Sequence, residues 1–406
     1  MISQGWSGEE PAIRPEHGSP ASGPRRVAVV TGTRAEFGLL APVMRAVEAE
    51  PRLELAIVAS GTHLLPPALT FREVKEAFPD RIADAVPMQT PGRRTRADDV
   101  RAVGVGIARF GRSFERLRPD WVLVLGDRIE AFAAASAASI GGYAVAHVHG
   151  GDRAEGVADE AMRHAITKLS HLHLAATETS ADRLRRMGER AEDVHTVGSP
   201  AADGLAGIEP ASDAAYDELG RPEIVVLFHP IGRHDEEEEL SASNVLEAAC
   251  AASERVLALM PNHDAGRTGV ARALEAAAAP GASPRVRLLE HLPRGQFVAL
   301  LKRLAGDPRG VLVGNSSSGL IEASVLGLAA VDIGPRQGGR ERPGSVVHTP
   351  SDHPERIAGA IREARAMDRG RSRHPYGDGQ AGARIAALLA TADPRDPARL
   401  RKRCAY

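Results

Sequence analysis

Three consecutive hydroxyls, Ser316, Ser317 and Ser318, stand between Gly314 and Gly319 in the stretch VLVGNSSSGLIEASVLG, where an apolar run gives way to an apolar-periodic one. A strand-to-helix turn of that composition gathers hydroxyl and backbone N–H donors at one place, which is what the oxygens of a phosphate require. The flanking glycines would let a diphosphate come close to the backbone. Capping one helix takes only one serine, so three favour an anion site over a cap. Glu322, about a turn further on, is within reach of a ribose if a nucleotide lies here, and is otherwise an exposed helical acid.

The densest polar constellation runs from Val122 to His173. Asp127 follows an apolar strand and suits either chemistry in a cleft or the capping of the next helix. His147 and His149 alternate, with Asp152 close behind, a spacing that can signal a metal site or two hydrogen-bonded bystanders. Asp159 and Arg163, like Glu160 and His164, stand four apart and can be plain helical pairs. Jointly, Asp127, His149, Asp152, Asp159 and Arg163 form a candidate acid–base cluster. In TGTRAEFGLL, Arg34 can neutralise a phosphate and Glu36 can accept hydroxyl bonds, or the two can simply pair; G-x-G-x-x-G is absent. His63 follows the second strand at the same edge. In the second half His229, then Asn262, His263, Asp264 and Arg267, end successive strands, and a glycine-rich loop carries Arg336, Gln337, Arg340 and Arg342. The acidic run Glu236 to Glu239 suits a helix start and no catalysis.

Such residues need elements to hold them. RVAVVTG, LELAIVAS, WVLVLG, YAVAHVHG and LHLAATET read as strands separated by amphipathic helices, and a second series follows in EIVVLFHP, ERVLALMP, RVRLLEH, GVLVGN and AAVDIG. This alternation predicts two parallel, doubly wound α/β sheets, hence two Rossmann-like domains facing a cleft. The expected boundaries are a disordered tail over 1–24, a first domain over 25–200, a linker over 201–222, a second domain over 223–375 and a C-terminal helix and tail over 376–406. A chain of 406 residues accommodates two such cores.

Composition excludes several classes. Fifty-one basic residues against 53 acidic ones, a net charge of −2, leave no basic field for nucleic acid or anionic membranes. The alanine-rich stretch from Ala131 to Val148 is broken by Gly141 and Gly142 and predicts no membrane span. Two cysteines, Cys250 and Cys404, give neither a disulfide framework nor zinc spacing and point to a cytoplasmic protein. The terminal RLRKR, Arg399 to Arg403, reads as solvated tail.

From Val27 to about Leu389 the chain resembles the hydrolysing UDP-N-acetylglucosamine 2-epimerases of sialic-acid and related nonulosonate biosynthesis. The matching stretches are TGTRAEFGLL, GDRIEA, GGD through DEAMRHAITKLSHLH, FHP, PNHDAGR, GNSSSGLIEA, IGPRQGGRER and YGDG. The resemblance implies a glycosyltransferase-B-like arrangement with the active site between the domains, catalysis with no NAD and no metal, and a homo-oligomer, dimer or tetramer. It implies that Ser316 and Ser317 hold the UDP diphosphate, with Glu322 at the ribose and Arg34, His229 and Arg336 near the nucleotide; His63, Asn262 and Arg267 complete the UDP-sugar site. UDP is eliminated across C1 and C2 and the glycal is hydrated with inversion at C2. Asp127, Asp159 and Glu160 are the carboxylate candidates, Arg163 orients them, and His149 lies beside the sugar.

One departure bears on the sugar. The sialic-acid branch carries a glutamate at the place of His149, and RAEG is one residue longer here. A histidine there looks more like the branch acting on UDP-N,N'-diacetylbacillosamine, with Glu155 the carboxylate available in its stead. A retaining glycosyltransferase, a non-hydrolysing epimerase, a metal-dependent hydrolase using His147, His149 and Asp152, and a noncatalytic nucleotide-sugar sensor are the competing classes. The DEAMRHAITKLSHLH match favours the epimerase over the transferase, and HVHGG replaces the HVEAG of non-hydrolysing enzymes.

Overall fold

The computed structural model describes residues 23–66, 69–92, 95–155, 159–262, 264, 266–369 and 373–402, with the backbone alone of Asp159. The expected tail, up to residue 22, and His263 lie outside the described residues, as do Arg403 and Cys404. Among the described residues thirteen strands form two sheets. The first holds β1 (Arg25–Thr31), β2 (Leu53–Ser60), β3 (Ile82–Val86), β4 (Trp121–Leu125), β5 (Ala144–Val148), β6 (Leu172–Ala175) and β7 (Val194–Thr196) in the order β3-β2-β1-β4-β5-β6-β7. The second holds β8 (Ile224–Leu227), β9 (Val256–Leu259), β10 (Val286–Leu289), β11 (Val311–Gly314), β12 (Ala329–Ile333) and β13 (Val346–Thr349), ordered β10-β9-β8-β11-β12-β13. Every pairing in both is parallel.

Parallel sheets need both faces covered, and the central strands show it. Along β1, Val27 and Val29 enter one core with Leu40, Met44 and Ile57, while Ala28 and Val30 enter the other with Phe110 and Phe114. In the second sheet Ile224 and Val226 face Val245 and Val270, and Val225 faces Leu300 and Leu304. The alanine-rich stretch is explained by packing. Helix Ile129–Ile140 buries six alanines, and a Cβ on Gly106 of helix Arg96–Leu117 would lie 3.0 Å from Ala133. Small residues let these helices touch. Among the described residues no helix is long and apolar enough to cross a membrane.

The strand order reverses between β1 and β4 in one sheet and between β8 and β11 in the other. At such switch points the loops leaving adjacent strands diverge and open a crevice. The loops concerned begin at Gly32, Gly126, Phe228 and Asn315.

The chain crosses between the sheets twice. The outgoing segment follows β7, and residues 201–222 contain a short helix, Asp213–Glu218, whose Tyr216 is buried in the second core. The return segment leads into helix Ala381–Thr391, which packs on helix Arg34–Ala49 and places Ile385 and Leu389, both fully buried, in the first core. Each such side chain contributes roughly 1.5–3 kcal/mol. The same helix end accepts from Trp121 Nε1 through Leu389 O (3.2 Å) and from Arg25 through Ala390 O (2.8 Å). Where the crossings meet, Ser199 N–H donates to Tyr376 O (2.9 Å) and Asp203 accepts from Ala381 N (3.0 Å) and Gly382 N (2.6 Å). Gly198 and Gly377, at φ 91° and 89°, let the two backbones touch.

Candidate active site

Asp127 leaves β4 directly and forms an ion pair with Arg163 of helix Asp159–Leu169. It does not cap the following helix, whose N-cap is Arg128. Arg163 is nearly fully buried. Burial, then the charge of Arg340, pushes its guanidinium down to about 9, which keeps it protonated at neutral pH. Asp152, 4.0 Å from the same guanidinium, is its second carboxylate, so loss of Asp127 would weaken the compensation of this buried charge without leaving it alone. Asp159 opens the same helix; its side chain lies outside the described residues. Glu160 accepts from Ala154 N–H at 2.8 Å and stands 3.4 Å from His164, so it ties down the loop after β5 and also forms the plain helical pair.

The two histidines of that strand do not converge. His147 is fully buried, bonded to Gly126 O at 2.8 Å and Thr167 Oγ1 at 3.3 Å, and burial pushes it down to about 3. His149 lies past the strand with Nδ1 2.8 Å from Asp152 and Nε2 3.0 Å from Ser199 Oγ. The shared metal ligation that their alternation allows is therefore not what this geometry offers, and no group of three potential ligands occurs among the described residues. His149 has φ +65°, a left-handed conformation costing a non-glycine residue roughly 1–2 kcal/mol. Asp152 is buried; burial alone would raise it, but His149, Arg340 and the Ser180 hydroxyl hold it below the usual carboxylate range. Glu155, the carboxylate expected in place of one at His149, is exposed and pairs with Arg153.

At the first βα turn Thr33 caps helix Arg34–Ala49, and Glu36 turns back to accept from Gly32 N–H at 2.7 Å. Glu36 does not pair with Arg34 across the turn. Burial, opposed by the Gly32 bond and reinforced by Glu130, lifts its carboxyl to about 8. Arg34, half-buried, lies in the fields of Glu73 and of Glu290 from the second sheet. His63 lies beneath this turn, fully buried, with Nε2 3.0 Å from Thr31 Oγ1 and Nδ1 2.7 Å from Thr70 Oγ1. Both ring nitrogens are taken by these threonines.

Across the cleft, Asn315 locks the loop after β8: its Oδ1 accepts from His229 N–H (2.7 Å) and its Nδ2 donates to His229 O (2.8 Å). His229 Nδ1 accepts from Asn262 N–H at 3.2 Å, so Nε2 carries the proton. Burial and then Arg336 push this ring down to about 3. It is a neutral donor. Arg336 and Gln337 both donate to Asn315 O, at 3.3 and 2.9 Å. Ser316 caps a 3₁₀ turn, Ser317–Gly319, and only a four-residue helix, Glu322–Val325, follows. The helix expected after the serines is short and starts six residues beyond Ser316, so the donors here are hydroxyls and turn N–H groups. Gly314 answers to its neighbour strand: a Cβ would lie 2.1 Å from Leu227 O. Glu322 is paired with Arg294 at 3.2 Å, and Arg267 with Glu290 at 3.2 Å.

Contacts between the halves close this arrangement. Arg128 meets Asp264 at 3.2 Å, Arg340 meets Asp152 at 3.3 Å and Arg183 meets Glu341 at 2.9 Å. Glu155 N–H donates to Gly338 O at 3.1 Å. Sequence reasoning passed over Ser180, Ser199, Arg128 and Arg294, ordinary residue types whose partners lie far away in the chain.

A two-domain α/β enzyme with opposed switch points is the class that this fold and site define. Solved structures agree: the UDP-GlcNAc 2-epimerase of Methanocaldococcus jannaschii, solved with UDP-GlcNAc and UDP, superposes with a TM-score of 0.73 at 19% identity over 90% of this chain and 100% of that one. The arrangement is glycosyltransferase-B-like. A sequence profile of the UDP-N-acetylglucosamine 2-epimerase family matches residues 45–390, and the chain belongs to that family. It is similar to the UDP-N,N'-diacetylbacillosamine 2-epimerase (hydrolyzing) of Legionella pneumophila, 33% identical over 90% of this chain and 96% of that protein. The UDP-N-acetylglucosamine 2-epimerase of Neisseria meningitidis serogroup B is 31% identical over 80% of this chain and 84% of its own length.

Proposed function

We propose that the protein is a hydrolysing UDP-sugar 2-epimerase that converts a UDP-2-acetamido sugar and water into UDP and the free 2-epimeric sugar. The observation that carries this reading is the division of the cleft: an Asp127–Arg163 ion pair beside His149 on one wall, and a neutral donor array of His229, Ser316 and Ser317 with Arg336 on the other. The diphosphate would lie on the serine turn with Arg34 opposite, Glu322 at the ribose, and Asn262 and Arg267 flanking the uridine side. Asp127, with Asp159 and Glu160 as further carboxylates, would take the C2 proton as the C1–O bond breaks and UDP departs with the electron pair. Water then delivers hydroxide to C1 and a proton reaches C2 from the opposite face. A C–H this weakly acidic needs a positioned base, and the leaving diphosphate needs cationic donors.

For the sugar, the reading favoured is a 2,4-diacetamido-6-deoxy hexose over N-acetylglucosamine. His149 supports it, as do the names of the Legionella relative and of a Campylobacter jejuni GDP/UDP-N,N'-diacetylbacillosamine 2-epimerase, 26% identical over 80% of this chain. Incubating both UDP-sugars with enzyme in D2O and following products by NMR tests it. Free sugar deuterated at C2, formed with one equivalent of UDP and faster from the diacetamido substrate, is the expected result. A UDP-linked epimer would make the enzyme non-hydrolysing, and a preference for UDP-N-acetylglucosamine would overturn the choice of sugar.

A further inference from the structure

Asp152, His149 and Ser199 form a continuous hydrogen-bonded row, 2.8 Å and 3.0 Å between successive polar atoms. The order carboxylate, imidazole, hydroxyl is that of a nucleophilic triad. Here the serine is fully buried, so substrate cannot reach it and the row must work in the other direction, with the outer members orienting the ring.

The donors decide how. Asp152 Oδ1 accepts from Ser180 Oγ at 2.8 Å, and its Oδ2 accepts from His149 and, at 3.3 Å, from Arg340 of the second domain. An ionised carboxylate only accepts, so Nδ1 of His149 must carry a proton. Ser199 Oγ already accepts from Ala201 N–H at 3.2 Å, which leaves its own proton to point at Nε2. One assignment satisfies every atom: a neutral ring, protonated on Nδ1, with its basic lone pair on Nε2. A charged ring would leave the buried hydroxyl proton without its partner. The left-handed backbone at His149 is a second sign that the surroundings, not local preference, place this ring.

We infer that Ser199 and Asp152 are positioning residues that fix His149 in the Nδ1–H tautomer, so that both ring nitrogens are committed and the ring stands beside the sugar as a neutral group, not as an acid. The inference rests on the reading of His149 as a site residue. Both ends of the row are anchored outside the first domain's cleft loops: Arg340 comes from the second domain, and Ser199 lies in the outgoing crossing, bonded through its N–H to Tyr376 O. The ring is thus held by both halves of the molecule.

Long-range ¹H–¹⁵N correlation spectra of the histidine-labelled full chain test it, with the His149 signals assigned by their loss in His149→Gln. The expected result is one protonated-type nitrogen at Nδ1 and one bare nitrogen at Nε2, with Asp152→Asn mixing the tautomers because its amide can also donate. An imidazolium pattern, or a proton on Nε2, overturns the inference whatever the enzyme turns over. Kinetics supply the second arm: Ser199→Ala lowers kcat about tenfold with KM unchanged, and Ser199→Thr restores it. Wild-type kcat and unchanged ring shifts in Ser199→Ala would remove Ser199 from the row. Should the enzyme turn over neither UDP-sugar, the proposed function fails while the spectra still decide the tautomer.

Discussion

The two sheets share one winding and present opposite chemistry at their carboxyl ends. The first places charge against charge under cover: Asp127 with Arg163, and Asp152 beside Arg340. The second sets the loops after β8 and β11 with neutral groups, Asn315 spanning His229 and the Ser316 hydroxyl capping a turn, with Arg336, 3.7 Å from Asp264, beside them and its ion pairs, Glu322–Arg294 and Arg267–Glu290, further out. Buried paired charge suits moving a proton, because its partner fixes both position and ionisation. Neutral donors on a rigid backbone suit holding an anion without having to reorganise. On the proposed function, the two tasks would be divided between the two sheets.

Removing the charge on the first wall is the sharpest way to break this contrast. Asp127→Asn should lower kcat by about 10²–10⁴-fold while calorimetric UDP affinity stays near wild type. The variant should also unfold more easily, since Arg163 loses its nearer carboxylate and keeps only Asp152 at 4.0 Å. Equal loss of UDP affinity would mean the walls are not specialised. On the second wall the vulnerable feature is backbone: Gly314→Ala forces a methyl into Leu227 O and should cost on the order of 3 kcal/mol in denaturant unfolding. A stable Gly314→Ala with weakened UDP binding would return that glycine to the ligand. Next comes Ser316→Ala with Ser317→Ala, expected to weaken UDP by about 2 kcal/mol, roughly 30-fold, with the melting temperature kept. Unchanged UDP affinity would empty the serine turn of its role.

The smallest effect is in pH. Glu36 is lifted from 4.5 to about 8, so the folded protein holds a proton that the unfolded chain releases, and stability declines as pH rises from about 4.5 towards 8. His63, pushed down to about 4, and His229, down to about 3, act oppositely, costing stability as pH falls below 6.5. Thermal melts of Glu36→Gln should lose the decline between about pH 6.5 and 8. An identical slope in variant and wild type would place the buried proton elsewhere.

Central strands were legible because two-sided burial writes continuous apolar runs: VAVV, WVLVL and IVVL stand out without help. The edge strands β3, β7 and β13 were not, since residues such as Asp84, His195 and His348 face solvent on one side and break the run. Asp127, His229 and Ser316 could be placed at strand ends, and Arg163 on the helix after β5, from their spacing alone. Ser199 could not: in GSPAAD it reads as a turn serine, and its histidine partner stands 50 positions earlier. His63 shows the same limit: in SGTHLL its bonds to Thr31, 32 positions earlier, and Thr70 cannot be seen. Long-range pairing, not residue type, separated the two outcomes.

The docking of helix Ala381–Thr391 on the first core has a consequence for synthesis. In covalent terms the second sheet is an insertion within the first domain, between β7 and that helix. A ribosome delivers all thirteen strands before the segment that covers Trp121 and Arg25 emerges. The half begun first is completed last, and until residue 391 leaves the exit tunnel the nascent first domain shows an uncovered apolar strip along helix Arg34–Ala49.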